Sequence, residues 1–297
     1  MQPIERPASQ HAASQHDAVS QHYDELDALY RQIWGEHVHH GLWVRGDETR
    51  HEAVRLLVDL VGAVAELSPG DRVVDVGSGY GASARQLAAD FGVDVTAVTL
   101  SPAQHAYAVR QSAENHAPTY VLGNWLENDL PEDSYDAAYA IESLSHITDL
   151  SRCVEEVRRV LRRGGRFVIC AWTAVEKPTN RQVRYLLDPI CRDGRLAHLS
   201  TVTHYAETLE RAGFVIEEFR DLTDGVRRTW TLALRRTAAA LLSQPSLVRT
   251  LARSDGEHRT FLTTIVRIWM AYRTEAMRYG LLKARNTDGG GRPANLA

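Results

Sequence analysis

Val73-Val74-Asp75-Val76-Gly77-Ser78-Gly79-Tyr80-Gly81-Ala82 decides the fold. An apolar, β-branched run ends in an acid and three alternating glycines. Ser83-Ala84-Arg85-Gln86-Leu87-Ala88 follows and reads as a helix. Strand, tight turn and helix form the unit that binds a nucleotide-like cofactor at the carboxyl end of a parallel strand. Glycine supplies positive φ there and lets a ligand approach the main chain. The helix start adds unpaired N–H groups and partial positive charge.

Gly77, Gly79 and Ala82 also fit the dinucleotide pattern G-x-G-x-x-G/A, which alone is weak. A nicotinamide reading wants an acid or an Arg at the end of the next strand. That strand, Asp94-Val95-Thr96-Ala97-Val98-Thr99-Leu100, runs instead into Ser101-Pro102 without a charge. Asp75, two positions before Gly77, would oppose a pyrophosphate and welcome a cation. S-adenosylmethionine (SAM) carries an ammonium, a sulfonium and no phosphate, so Asp75 favours it. The D-x-G-x-G-x-G pattern resembles the first motif of class I SAM-dependent methyltransferases.

Outward from this motif the core alternates. Strands are expected at 72–77, 94–99, 118–122, 135–141 and 165–172, and helices near 80–91, 102–115 and 150–162. Such alternation argues for an α/β fold with a doubly wound, mostly parallel sheet. Past residue 175 the rhythm changes. A strand at 214–219 and a closing strand at 276–284 are split by a largely helical stretch, 226–276, expected to build a substrate pocket. Upstream, residues 49–66 read as an amphipathic helix. The expected organisation is a disordered tail at 1–21, a helical lid at 22–66, a SAM-binding core at 67–175, the last strands plus insertion at 176–285 and a disordered tail at 286–297.

The chain has 297 residues and a formal net charge of −4, with no basic tail, which argues against nucleic acid. Cys153, Cys170 and Cys191 are scattered, as free thiols in a reducing cytoplasm would be. No apolar run reaches membrane-spanning length. The expected partner is a small molecule, in a cytoplasmic protein open to homo-oligomerisation.

Candidate site residues lie at strand ends. Thr99, Leu100 and Gln104 follow the second strand, with Leu100 against an adenine and Gln104 near a ribose; the plain alternative is a helix cap and a core leucine. Asn124 and Trp125 follow the third. An Asn amide and a Trp ring suit an adenine, but equally suit a turn beside a buried ring. Ile141-Glu142-Ser143-Leu144-Ser145-His146 follows the fourth strand. A helical turn there would put Glu142 and His146 on one face as base candidates. Trp172 ends the fifth strand, and Trp230 lies in the insertion. The stretch Trp34-Gly35-Glu36-His37-Val38-His39-His40-Gly41-Leu42-Trp43 reads as a glycine-bracketed loop. Its histidines suit a metal in type but lack Cys or acidic partners, so no metal is expected. A lid is the simpler reading, with His39, His40, Trp43, Trp172 and Trp230 facing substrate.

Together the histidine loop, Val98-Thr99-Leu100-Ser101-Pro102-Ala103-Gln104, Ile141–His146 and Arg278-Tyr279-Gly280-Leu281-Leu282-Lys283-Ala284-Arg285 resemble the tocopherol- and sterol-methyltransferase-like group of small-molecule enzymes. The resemblance spans residues 22–285 and implies a seven-stranded, Rossmann-like fold. It implies that Tyr23 and Trp34 cover SAM, that Asp75, Gly77, Ser78, Gly79 and Gly81 hold its methionine end, that Gln104 meets the ribose, and that Asn124, Trp125 and Ile141 line the adenosine side. Asn124 stands where an Asp is frequent. The reading leans to C-methylation of a terpenoid or aromatic acceptor, with Glu142 stabilising or deprotonating a cation, over O- or N-methylation, where His146 would be the base for an oxygen acceptor. Mg²⁺ would enter only with a diphosphate acceptor, whose phosphates Arg181, Arg184, Arg227 and Arg228 are candidates to meet; the plain alternative for these arginines is a solvated helix face.

Overall fold

A computed structural model describes residues 4–5, 35–112, 117–243 and 257–287. Tyr23, Trp34 and most of the expected tails lie outside the described residues. The main sheet has seven strands: β1 (Arg72–Val76), β2 (Asp94–Thr99), β3 (Thr119–Leu122), β4 (Tyr135–Ile141), β5 (Leu161–Ala174), β6 (Phe214–Asp221) and β7 (Met277–Asn286). Their spatial order is β3-β2-β1-β4-β5-β7-β6. The first five are parallel, and β7 runs antiparallel to both β5 and β6. The sheet order reverses at β1, which carries the glycine turn at its carboxyl end. This is the switch point where open α/β sheets bind ligands.

Both faces of the sheet are covered, which is why its strands read as apolar runs rather than alternating ones. One face packs Val73, Val95, Ala137 and Tyr279 with α1 (Arg50–Val64) and α2 (Ala82–Phe91). The helical insertion, α6 (Arg228–Ser243) and α7 (Glu257–Arg273), joins this cluster through Trp230, Ile265 and Ile268. The other face packs Val74, Ala138 and Phe167 with α4 (Leu150–Val160) and α5 (Val202–Arg211). Between β2 and β3 runs α3 (Pro102–Gln111), capped by the Ser101 side chain on the Gln104 N–H. A capping box of Thr49 and Glu52 starts α1.

Two expectations about β5 and β7 are corrected. The strand expected at 165 begins at Leu161, because Arg162–Gly165 bulge between the Tyr135–Leu161 and Ala137–Arg166 pairs rather than forming a turn outside the sheet. The closing strand extends to Asn286, whose amide donates to the Leu161 carbonyl at 2.9 Å. Outside the main sheet, Ile4–Glu5 lies antiparallel to His198–Leu199.

Candidate active site at the carboxyl edge of the sheet

The glycine turn is built by steric exclusion. Gly77 has φ +87°, and a Cβ on it would lie 2.4 Å from the Ser143 Cβ. Gly79 has φ +54°, and a Cβ there would meet nothing within 4 Å. The first glycine therefore lets β4 close on β1, and the second leaves open space above the turn. The N–H groups of Gly77 and Ser78 both reach the Val98 carbonyl, at 3.1 and 2.8 Å. Ser78 Oγ is buried without a partner. A buried hydroxyl left unsatisfied beside open space suits a polar ligand atom.

Asp75 sits beneath this turn and is 2% exposed. Burial raises its carboxyl to about 7, against the hydrogen bond that Tyr139 Oη donates at 2.7 Å. A cation above the turn would favour the ionised form, and a pyrophosphate would oppose it. The orphaned hydroxyl, the open cradle and the acid fit the methionine end of SAM.

The loop expected as a lid is a strap tied to four elements. Glu36 pairs with Arg85 of α2 and accepts from Tyr107 Oη of α3 at 2.9 Å. His39 Nδ1 donates to the His40 carbonyl at 2.8 Å, so its Nε2 carries a lone pair toward Ser83 Oγ at 3.3 Å and His37 Nδ1 at 3.1 Å. Burial lowers both His37, to about 2, and His39. The Gly41 N–H donates to Thr229 Oγ1 of α6 at 3.1 Å, and the Trp43 N–H to the Gly225 carbonyl at 2.9 Å.

The fourth tie is Glu142. Its side chain is 5% exposed and accepts from four donors. These are the His40 N–H at 2.8 Å, His40 Nδ1 at 2.9 Å, Tyr279 Oη at 2.7 Å and Trp172 Nε1. Burial acts to raise its carboxyl, and the hydrogen bonds from the His40 ring and N–H act to lower it. On the far side of the same ring, Trp230 Nε1 donates to His40 Nε2 at 2.6 Å. Indole N–H is a donor only, so Nε2 is the acceptor nitrogen and the proton sits on Nδ1. His40 thus donates to Glu142 as a neutral ring, inside a ring of Trp172, Trp230, Tyr272 and Tyr279.

The expected helical face for Glu142 and His146 is not formed. Glu142 has φ +58°, outside the helical region, and the following turn starts only at Leu144. Glu142 consequently turns under the strap, while His146 Nδ1 faces the Arg195 carbonyl at 3.4 Å. Asn124 spends its amide oxygen on capping, accepting from the Leu126 N–H at 3.1 Å. Trp125 is 5% exposed and donates to the Cys153 carbonyl at 3.1 Å, as a core ring would. Thr99 Oγ1 donates to Gln104 Oε1 at 3.0 Å, with both residues buried at the start of α3, and Leu100 is half-buried between them. Ile141 is half-buried at the end of β4. Trp43 donates to the Glu48 carbonyl at 3.2 Å and is 7% exposed, so its ring anchors the strap.

Arg181 and Arg184 are exposed, Arg227 pairs with Asp224, and Arg228 donates to the Gly46 carbonyl. These four do not converge on a diphosphate. Among the described residues no group of three or more His, Cys, Asp or Glu side chains is arranged for a metal. Sequence reasoning missed Tyr139, Tyr272, Tyr279 and Ser143. Tyr139 and Tyr279 lie in strands and Tyr272 in α7, where apolar patterning alone explains them, and only their hydroxyls reveal the site.

The profile of the mycolic acid cyclopropane synthetase family matches residues 10–278. The chain belongs to this family. It is a SAM-dependent methyltransferase, as the first motif implied. The methyltransferase is 29% identical to 27-O-demethylrifamycin SV methyltransferase of Amycolatopsis mediterranei, over 91% of this chain and 97% of that protein. It is 28% identical to the chloroplastic tocopherol O-methyltransferase of Arabidopsis thaliana, over 78% of this chain and 72% of that one. A 24-methylenesterol C-methyltransferase of the same plant is 26% identical over 72% of this chain and 61% of that one. The cyclopropane synthase MmaA2 of Mycobacterium tuberculosis shares the methyltransferase's fold at a TM-score of 0.80 and 18% identity, over 94% of this chain and all (100%) of that one. No described helix is long and apolar enough to cross a membrane.

Proposed function

We propose that the enzyme methylates carbon, on a small, largely apolar acceptor of prenyl or aromatic type. One observation carries the reading: the Glu142 carboxylate is enclosed among aromatic rings and accepts from four donors, as an ionised carboxylate does, at the end of the strand that closes on the glycine turn. Its four donors orient it, and because His40 is neutral they do not cancel its charge. A fixed negative charge and aromatic faces favour positive charge developing on an acceptor carbon. SAM, when bound, supplies an electrophilic methyl group.

The chain's residues would act as follows. Asp75, Ser78 and the open glycine turn hold the cationic end of the cofactor. Leu100 and Gln104 rim its nucleoside side from the start of α3. Glu36 and His39 fasten the strap to α3 and α2 and exclude water from the reacting centre. Glu142, with Trp172 beside it, faces the acceptor as the electrostatic partner of positive charge. The three buried thiols, none in a disulfide among the described residues, accord with a reducing, cytoplasmic setting.

A second reading is transfer to oxygen, favoured by the rifamycin and tocopherol relatives, whose names specify O-methyl chemistry. His146 would then be the base candidate, since Glu142 already accepts four hydrogen bonds. The test is incubation with SAM carrying a ¹³C-labelled methyl group and a panel of prenylated, sterol-like and phenolic acceptors. Carbon-13 NMR of the product should show the label as a C-methyl; a methoxy signal would replace the first reading by the second.

A further inference from the structure

His40 Nε2 is within reach of two donors from two helices. Trp230 Nε1 of α6 lies at 2.6 Å and Tyr272 Oη of α7 at 3.1 Å. One lone pair therefore has two claimants, both from the insertion. The ring is 1% exposed, so water cannot substitute for either. If the proton moved to Nε2, the Trp230 N–H would face an N–H and the Glu142 carboxylate would face a bare nitrogen. Two buried polar groups would lose their partners at once. The Nδ1–H arrangement keeps both the Glu142 carboxylate and the Trp230 N–H paired.

We propose that Trp230 and Tyr272 are paired positioning residues: together they fix the His40 tautomer, and so make its Nδ1–H a permanent donor to Glu142. The insertion thereby acts, through His40, on the orientation of a carboxylate at a strand end. The two donors back each other up. With Trp230 removed, the Tyr272 hydroxyl rotates its proton to Nε2; with Tyr272 removed, the indole N–H already suffices. Loss of both frees the ring to adopt either tautomer or to flip, and Glu142 loses a fixed donor. The consequence for turnover rests on the role proposed above for Glu142; the tautomer itself does not.

The experiment uses the full-length protein labelled with ¹⁵N-histidine. The His40 signals are assigned by their loss in His40→Asn. Nitrogen shifts near neutral pH should show a protonated Nδ1 and an unprotonated Nε2 in the wild type, in Trp230→Phe and in Tyr272→Phe. The double variant should lose that preference. Turnover should follow the same pattern. Each single variant should fall by no more than about threefold, and the double variant by roughly tenfold beyond the product of the two, with SAM affinity unchanged. A wild-type His40 protonated on Nε2, or on both nitrogens, overturns the proposal, and this reading needs no variant to fold. Additive single effects with an unmoved nitrogen signature in the double variant overturn it too. A methoxy product with the expected tautomer would sink only the carbon reading.

Discussion

The two edges of the sheet handle charge in opposite ways. At the amino-terminal edge, ions are spread over a network. Lys283 lies 2.5 Å from Glu66 and 3.2 Å from Glu217, Arg285 reaches both acids, and Arg166 lies 3.2 Å from Asp71. Several members are half exposed, and Glu66 and Glu217 each have more than one cation. At the carboxyl edge, one carboxylate is enclosed and its partners are a neutral imidazole, an indole and a phenol. A shared network tolerates the loss of a member, because neighbours and water compensate. A single enclosed carboxylate leaves every donor stranded when it goes. The first arrangement serves stability, and the second holds one charge in one place.

The sharpest way to break this contrast is Glu142→Ala. It strands two N–H groups of His40, the Trp172 N–H and the Tyr279 hydroxyl. We expect a loss of about 3–5 kcal/mol in urea unfolding and a fall in turnover of at least about a hundredfold. Unchanged unfolding would mean that the enclosed carboxylate is no tie at all.

A second test uses the sign of pH dependence. The Asp75 carboxyl is raised to about 7 by burial, while an unfolded Asp releases its proton near about 3.9. Between those values the folded state holds a proton that the unfolded state has lost. Its contribution to stability therefore falls as pH rises through that window, by on the order of a few kcal/mol, and levels off above it. Glu66 runs the other way: its hydrogen bond to Lys283 lowers it, so its contribution is lost as pH falls into the acid range. Asp75→Asn should flatten the fall between about pH 4 and about pH 7 in unfolding curves taken across pH. An unaltered slope would place the titrating group elsewhere.

The smallest effect is expected at the other edge. Lys283→Met keeps the aliphatic stem and leaves Arg285 against both acids. Stability should change by no more than about 1 kcal/mol, with turnover and SAM affinity intact. A loss as large as that of Glu142→Ala would erase the distinction between the edges.

Much of the fold was legible before any coordinates. The strand–glycine–helix unit, the alternation after it and the split last strands follow from local periodicity and turn chemistry, and the observed elements match them within a few residues. The misses have a common cause. The strand is expected from 165 because Gly164 and Gly165 favour turns, but a strand can absorb them as a bulge. Glu142 and His146 looked like a helical pair because their spacing is four, but one residue at φ +58° cancels that geometry. Trp125 suited a stacking platform and a buried ring equally, and its N–H reaches a backbone carbonyl in the core.

The chain alone therefore determined the sheet, the cofactor turn and the kind of cofactor, since these rest on backbone preferences and on one acid placed beside three glycines. Only the folded molecule decided that Glu142 would be roofed by His40 and reached by Tyr279, and that Trp230 and Tyr272 would converge on the same imidazole. Those partners come from segments more than a hundred residues from Glu142 or His40. Hydrogen bonds of such separation leave no local period or spacing to read, because they are fixed by how the strands and helices pack and not by the residues next to them in the chain.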